Sequence, residues 1–484
     1  MLNNGQESDG RGAVTPSTVR IAVVGVGRIG IHRAVTFAEA GVDVVGYDVD
    51  ESRIAAYRRG HDPTGTVDDE RLAAATCSFS ADPECLATAD LVFVAVPTRH
   101  APDAGEPHAT IRSVGRTVGE HCAPGATVVL ESTVPPGTTA DVFAPAVEGA
   151  SDRDAGASVD VAYAPERFSM GSSAAEWRAE PRLVGADVPA VAARVAAAYE
   201  LVYETVHVVE GTAVAEAAKC VENVYRDATI AVVNELASAL AALGVDADRA
   251  LAAAATKRNV PNLEPGLVGG QCLPEDPLLF ADRVGDVGES MPLVRTARAV
   301  NEGVVDRVAD TTVAALAARK RRVGRESPRP QATGPPVEHA AVLPDGAGDS
   351  SDPVAAADTG PDPSGESETV VLAGLAYKPD VSDLSGSRCG EVATRLAEHG
   401  VDVVGYDPLV DADTADRSLP FPVSETDPFD GVDGVVVLVG HTAFDDLSPE
   451  SIANAAAPDP AVVDLPRAFD RSTASRANVV YRCP

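Results

Sequence analysis

Lysine is almost missing from this 484-residue chain: only four of its 39 basic residues are lysine (Lys219, Lys257, Lys320, Lys378), and the rest are arginine. Both kinds together are outnumbered by 73 acidic residues, for a formal net charge of −34. A surface of that sign repels phosphate backbones and anionic lipid headgroups, so nucleic acid and membrane surfaces are poor partners. The excess fits adaptation to concentrated salt, because at about 1 M the Debye length is near 3 Å and neighbouring carboxylates hardly feel one another. An acidic interaction tail is the lesser alternative. Also missing is any run of 18 or more apolar residues, and residues 1–17 hold neither a basic region nor an apolar core. Neither a membrane span nor an export signal is expected. Cysteine is sparse and unpatterned, seven residues with no C-x-x-C pair and no Cys/His cluster of metal-binding spacing. That argues against a disulfide framework or a zinc site and for a reducing, cytoplasmic location.

What is present is enough chain, at about 150 residues per domain, for about three domains. Residues 1–17 are polar and aperiodic, the pattern of a disordered leader, with order expected from Val19. Residues 19–25 predict a buried strand, 29–40 a helix and 42–47 a second strand, with further strands at 91–96, 127–130 and 159–163 between helical stretches. This order predicts an α/β domain over 18–206. Over 207–323 the chain turns to long Ala-rich helices such as 216–243, a central helical domain. Residues 324–368 are rich in Pro, Gly, Ser and Asp with almost nothing large to bury, and predict a disordered acidic insertion. Strand signals return over 369–484, at 369–373, 401–406, 435–439 and 461–464. The segment Gly41-Val-Asp-Val-Val-Gly-Tyr-Asp48 recurs letter for letter from Gly400 to Asp407. The expected fold class is therefore α/β, with two Rossmann-like doubly wound domains flanking a central helical domain.

Gly25-Val-Gly27-Arg28-Ile29-Gly30 fits G-x-G-x-x-G between a strand and a helix. Gly25 allows the tight turn, Gly27 lets a pyrophosphate approach the backbone, and Gly30 lets helix and sheet pack closely. Asp48, 18 residues after Gly30, ends the second strand where a carboxylate bonds a ribose 2′-OH and repels a 2′-phosphate. Together they favour NAD over NADP. The second α/β domain replaces the fingerprint with Gly374-Leu-Ala-Tyr-Lys378-Pro-Asp380, whose lysine either meets a phosphate or faces solvent.

Gly269-Gly-Gln-Cys272-Leu-Pro-Glu-Asp276 puts a cysteine after a glycine pair and a carboxylate four residues on. By itself such a cysteine is more often packing than nucleophile. Lys219 and Asn223 share one helical face at i, i+4, a cationic donor beside an amide, although a snorkelling surface lysine would account for Lys219 alone. Tyr163, Phe168 and Trp177 read as core or rim, and Cys220 as buried packing.

With Ala95-Val-Pro97-Thr98, Glu131-Ser-Thr133-Val-Pro-Pro-Gly137, Tyr163-Ala-Pro-Glu166-Arg167 and Ala376-Tyr377-Lys378-Pro-Asp380, these motifs resemble the UDP-sugar 6-dehydrogenase (UDP-glucose/GDP-mannose dehydrogenase) family. The resemblance spans everything except 1–17 and 324–368. Pro165-Glu-Arg167 and the stretch from Tyr225 to Leu236 resemble its UDP-N-acetyl-D-mannosamine branch, and the acid excess a halophilic archaeal type. The resemblance implies a four-electron oxidation of a sugar C6 alcohol by two NAD, through a Cys272 thiohemiacetal and thioester that water hydrolyses. Lys219 and Asn223 would stabilise the oxyanion, and Asp276 would order a water or take the alcohol proton. Glu166, with Thr133 nearby, would position or activate the hydrolytic water. The implied NAD site is Gly25, Gly27, Arg28, Ile29, Gly30, Asp48, Arg53, Pro97, Thr98 and Thr133. The implied UDP-sugar site is Glu166, Arg167, Lys219, Asn223, Gly269, Tyr377, Lys378 and Arg258, the last reaching across a dimer interface. No metal is implied; the central helices would join a homodimer or higher homo-oligomer, and 369–484 would bind UDP.

Two positions depart from the family. Gln271 stands where the branch usually has histidine before the cysteine, removing a group that could have lowered the thiol pKa. Ser385 stands where an arginine often follows the Lys-Pro-Asp stretch, with Arg388 the nearby substitute. Both bear on sugar identity, with UDP-glucose as the rival substrate, and both leave room for a catalytically silent sugar-nucleotide sensor.

Overall fold

The computed structural model describes residues 14–98, 108–151, 159–167, 171–261, 264–326 and 367–484. Most of the leader expected over 1–17, most of the insertion expected over 324–368, and Phe168 lie outside the described residues. Structure starts before Val19: Thr18 N donates to Thr15 O at 3.0 Å, and Val14 packs on the core. The helix Val304–Glu326 likewise runs past residue 323.

Two compact units make up the described chain: residues up to Leu236 together with Val268–Glu302, and Ala237–Leu267 together with the chain from Gly303 onward. In the first, eight strands form one sheet: β1 (Arg20–Val24), β2 (Asp43–Tyr47), β3 (Cys77–Ser80), β4 (Leu91–Val94), β5 (Thr127–Leu130), β6 (Asp160–Tyr163), β7 (Arg182–Ala186) and β8 (Val206–Glu210). Their order is β3-β2-β1-β4-β5-β6-β7-β8, and every neighbouring pair is parallel except β6 with β7. Alternation divides β1 between two cores. Ile21 and Val23 join Phe37, Phe93 and Tyr199 on one face, while Ala22 and Val24 join Val92, Val128 and Phe143 on the other. A sheet covered on both faces needs strands that are apolar throughout, as Leu91-Val-Phe-Val94 is.

The second unit repeats the plan with β9 (Glu368–Ala373), β10 (Val401–Tyr406), β11 (Val423–Ser424), β12 (Gly434–Val437), β13 (Ala461–Asp464) and β14 (Val480–Arg482), all parallel, in the order β11-β10-β9-β12-β13-β14. That is the order of the first six strands of the first sheet. The repeated octapeptide forms the second strand of each, and its inner glycine does the same work twice: a Cβ on Gly46 would stand 2.7 Å from the Phe79 ring, and one on Gly405 2.7 Å from the Phe421 ring. The helices between the two sheets divide between the units. Residues 212–236 of the helix Thr212–Ala242, with the helices Cys272–Asp286 and Pro292–Glu302, belong to the first. Ala247–Ala255 and Val304–Glu326 belong to the second, where Val304, Val308 and Leu316 share a core with Val370 and Leu372.

Candidate active site

The carboxyl ends of β1, β2, β4, β5 and β6 gather the residues of the first unit's cleft, at the point where strand order reverses between β1 and β4. Gly25, with φ +84°, leaves β1; a Cβ there would lie 2.7 Å from Ala95 O, and one on Gly30 only 1.9 Å from Gly25 O. A Cβ on Gly27 would meet nothing within 4 Å, so the backbone is open there. The helix Arg28–Glu39 that follows has no acidic residue in its first turn, despite the acidity of the chain. Open backbone, a bare helix N-terminus and the buried Asp48 fit a dinucleotide's pyrophosphate and ribose. Asp48 accepts from Asp50 N at 3.0 Å and pairs with Arg53 at 2.9 Å, which brings the expected Arg53 beside Asp48. Thr98 Oγ1 donates to Thr133 O at 2.7 Å, joining the ends of β4 and β5 beside the exposed Pro97.

Glu166, one turn past β6, is held by cations. Its Oε1 accepts from Arg182 Nη1 at 2.9 Å and from Arg167 N at 2.8 Å, and its Oε2 pairs with Arg33 Nη2. Arg33 and Arg182 are fully buried and both reach Glu131 Oε1, at 2.9 and 3.3 Å. Arg167 spends its guanidinium inside the protein, on Pro181 O at 2.7 Å and on Glu222. Arg33 was not singled out from the sequence. The available signal was a charged residue three positions after Gly30, within a stretch, Gly30–Ala38, that is buried throughout.

Cys272 opens the helix Cys272–Asp286 just after Gly270, whose φ is +84°. One turn on, Asp276 is buried and accepts from Asn223 Nδ2, so the Lys219/Asn223 helix and the Cys272/Asp276 helix meet at their expected residues. Burial pushes the Asp276 carboxyl up to about 6, against the pull of Lys219 and the Asn223 bond. Cys272 is exposed, yet the protein around it withholds enough water to push its thiol up to about 11; Asp276 adds to the rise and Lys219 opposes it. Glu216, also missed, is fully buried and accepts from Gly137 N at 2.6 Å and Thr139 N at 2.7 Å, fixing the loop that carries Thr133. Tyr163, Trp177 and Cys220 are buried, as their patterns predict.

In the second unit, Lys378 Nζ stands 5.7 Å from the Tyr377 ring centre. Asp407, the counterpart of Asp48, is consumed internally: Oδ2 accepts from Leu375 N at 2.7 Å and Ala376 N at 3.1 Å, and His441 Nε2 lies 3.0 Å from it. A carboxylate so used does not read a ribose, in keeping with the lost fingerprint. Arg388, the nearby substitute for the arginine replaced by Ser385, is bound bidentately to Glu391 at 2.5 and 2.6 Å. Arg258 is exposed in this unit, and Gly269 lies three residues before Cys272 in the other.

Two doubly wound sheets, the first with a dinucleotide cradle and a cysteine–carboxylate–lysine–amide cluster, define a nucleotide-dependent dehydrogenase. The chain belongs to the UDP-glucose/GDP-mannose dehydrogenase family, matching its NAD-binding domain over 19–207, its central domain over 213–303 and its UDP-binding domain over 371–471. It is 28% identical over 455 residues to the UDP-N-acetyl-D-glucosamine 6-dehydrogenase of Pseudomonas aeruginosa, covering 93% of this chain and 97% of that one. To the UDP-N-acetyl-D-mannosamine dehydrogenase of Salmonella typhi it is 31% identical over 319 residues, 63% and 75% of the two chains. The solved UDP-D-ManNAc dehydrogenase of Pyrococcus horikoshii superposes with a TM-score of 0.75 at 25% identity, over 96% and 98% of the chains.

Proposed function

We propose that this chain oxidises C6 of a UDP-linked sugar to the carboxylate, preferring UDP-N-acetyl-D-mannosamine. The carrying observation is the meeting of the Lys219/Asn223 and Cys272/Asp276 helices through the Asn223–Asp276 bond. The Gly25–Gly30 turn and Asp48 would hold NAD, which would supply the hydride acceptor for each oxidation. Asp276, poised near 6, takes the alcohol proton. The Cys272 thiol then adds across the aldehyde, sulfur to carbon and proton to oxygen, so that no aldehyde escapes between the two oxidations. Lys219 and Asn223 stabilise charge on that oxygen. The names of the two sequence relatives support an N-acetylated sugar.

A cytoplasmic enzyme is supported by seven cysteines that are all free thiols. A homodimer through the helix Thr212–Ala242 is supported by its exposed apolar stripe, Val214, Val221, Tyr225, Val232 and Leu236, at alternating spacings of seven and four. Light scattering should give twice the chain mass, and a monomer would remove that assembly. With NAD, UDP-N-acetyl-D-mannosamine should yield two NADH per sugar and the uronate, faster than UDP-N-acetyl-D-glucosamine or UDP-glucose, and Cys272→Ala should yield no uronate. Faster turnover of UDP-glucose would move the assignment to that sugar. One NADH with free aldehyde would remove the thioester, and no NADH from any sugar would leave a silent binder.

A further inference from the structure

Glu166 stands at the centre of a buried charge network larger than a hydrolytic residue needs if it works as a base. Arg33 and Arg182 each touch both Glu166 and Glu131. Tyr199 Oη donates to Glu131 Oε1 at 2.5 Å, Arg33 Nη1 donates to Tyr203 Oη at 2.5 Å, and both guanidinium groups lie 4.9 to 5.4 Å from the centres of the Tyr199 and Tyr203 rings. Two cations thus balance two carboxylates in a dry layer. Buried ion pairs are weak devices for stability, since desolvation offsets most of their attraction. They do fix geometry: with Oε1 holding Arg182 and Arg167 N, and Oε2 holding Arg33, the Glu166 carboxylate cannot turn. Glu166 lies within electrostatic reach of the cysteine. Its charge acts on Cys272, and it lines a cavity of about 130 Å³, with Arg167, Trp177, Arg182 and Tyr203 among the walls, that has room for water.

We infer that Arg33 and Arg182 are positioning residues for thioester hydrolysis, clamping Glu166 as a fixed anionic acceptor that aims the water. The inference rests on the thioester proposed for Cys272. In the step, the water oxygen bonds to the acyl carbon, the C–S bond breaks, and the electron pair leaves with Cys272 Sγ. One water proton ends on that sulfur, and the other is released to solvent when the product acid ionises. Because Arg33 follows Gly30 by three residues, the clamp is built on the helix that opens the dinucleotide site.

The test uses the full-length enzyme and a UDP-sugar that the wild type oxidises. Arg33→Met should form two NADH per active site in a rapid burst and then turn over about 100-fold slower, the size of one lost orienting interaction in a transition state. The ratio kcat/KM for NAD and sugar should stay within about threefold while KM falls together with kcat, since binding and acylation are untouched and only the last step is slowed. Acid quench and intact-protein mass spectrometry should find Cys272 carrying the UDP-sugar acyl group at near full occupancy. Arg33→Lys should recover part of the rate, because a cation again faces Glu166. An unchanged turnover, or a lost burst with a raised KM for NAD, would overturn the clamp and leave Arg33 a packing residue of the dinucleotide helix. If Arg33→Met does not fold, Tyr203→Phe carries the test. It frees one Arg33 donor, and should slow turnover about threefold to tenfold with the same acyl build-up; a normal rate there would equally overturn the clamp. If the wild type itself never acylates Cys272 under any quench, the thioester reading fails first, and that result is distinct from a wild type that acylates while the Arg33 variants do not accumulate the acyl form.

Discussion

Asp276 is an ordinary aspartate made useful by its surroundings, and its titration is the sharpest residue-scale prediction. Burial lifts its carboxyl from the usual 3.8 to about 6, so the group is protonated below that pH and a carboxylate above it. Only the carboxylate accepts the alcohol proton; kcat/KM, which reports the free enzyme, should therefore fall on the acid side through pH 6. Asp276→Asn should flatten that limb and lower kcat by about 10²-fold to 10⁴-fold, as measured by initial NADH rates from pH 5 to 9. An acid limb that survives the substitution would assign it to another group. Cys272 titrates on the opposite side: its thiol, pushed up to about 11, is protonated at neutral pH and must lose its proton as the sulfur attacks the aldehyde, a loss that the nearby Lys219 favours. How far this site could be read from sequence differs by residue. The pairs Lys219/Asn223 and Cys272/Asp276 were visible as i, i+4 spacings, but their meeting across two helices is tertiary and came only through the family resemblance. Glu216 was invisible because nothing local distinguishes a buried, paired charge from a surface one, and Arg33 offered only its place three residues after Gly30. Arg167 shows the converse: its motif was legible, yet its guanidinium faces Glu222 and Pro181.

Among the elements, the turn between β1 and the helix Arg28–Glu39 is the least forgiving. A methyl group on Gly30 would sit 1.9 Å from Gly25 O, and the obstacle is backbone that cannot swing aside. Gly30→Ala should cost about 1–3 kcal/mol by overpacking and push helix and strand apart at the phosphate cradle. Calorimetry should show a lower melting temperature, and titration with NAD an affinity reduced by at least about tenfold, since the helix N-terminus shifts from its phosphate-facing position. Unchanged NAD affinity would mean that the cofactor does not use this turn. Buried strands with apolar runs, β1, β4, β5, β10 and β13, were legible to within a residue or two. The ones not expected have physical reasons to be quiet. Strand β3 reads Cys77-Ser-Phe-Ser80, β8 is an edge strand with no residue fully buried, and β11 has two residues. Strand β7 begins with the buried Arg182, whose apolar setting is made tolerable by Glu131 and Glu166 from the segments just after β5 and β6. The octapeptide repeat carried further than any single strand signal. It pointed to two Rossmann-like domains, whose sheets share one order over six strands, while the fate of its terminal acids, Asp48 and Asp407, was hidden because it depends on the loop each one faces.

At the scale of the whole molecule the charge balance makes the last prediction. Of the 73 acidic residues, only eight are buried among the described residues (Asp48, Asp62, Glu131, Glu216, Asp227, Asp276, Asp407 and Asp464), so most of the excess lies where solvent ions can screen it. At about 0.1 M salt the Debye length is near 10 Å and a net charge of −34 repels itself across neighbouring surface groups, whereas near 1 M it is about 3 Å and the repulsion is local. Unfolding spreads the charges apart, so low salt favours the unfolded chain. Melting temperature and NADH formation should therefore rise together as potassium chloride is raised from about 0.1 M to about 2 M. Screening and preferential exclusion both predict stabilisation, but they differ in what else stabilises. Sucrose is excluded from the surface without carrying charge, and magnesium chloride at about 0.05 M screens strongly before exclusion matters. If self-repulsion is the cause, magnesium chloride at that concentration should recover much of the stability lost at low potassium chloride, and sucrose of matched osmolality should recover little. The buried Arg33–Glu166 layer is shielded from bulk ions, so hydrolysis of the Cys272 acyl form in the folded fraction should not change with salt. Full activity in dilute buffer, or equal rescue by sucrose, would show that the acidic surface serves something other than life in concentrated salt.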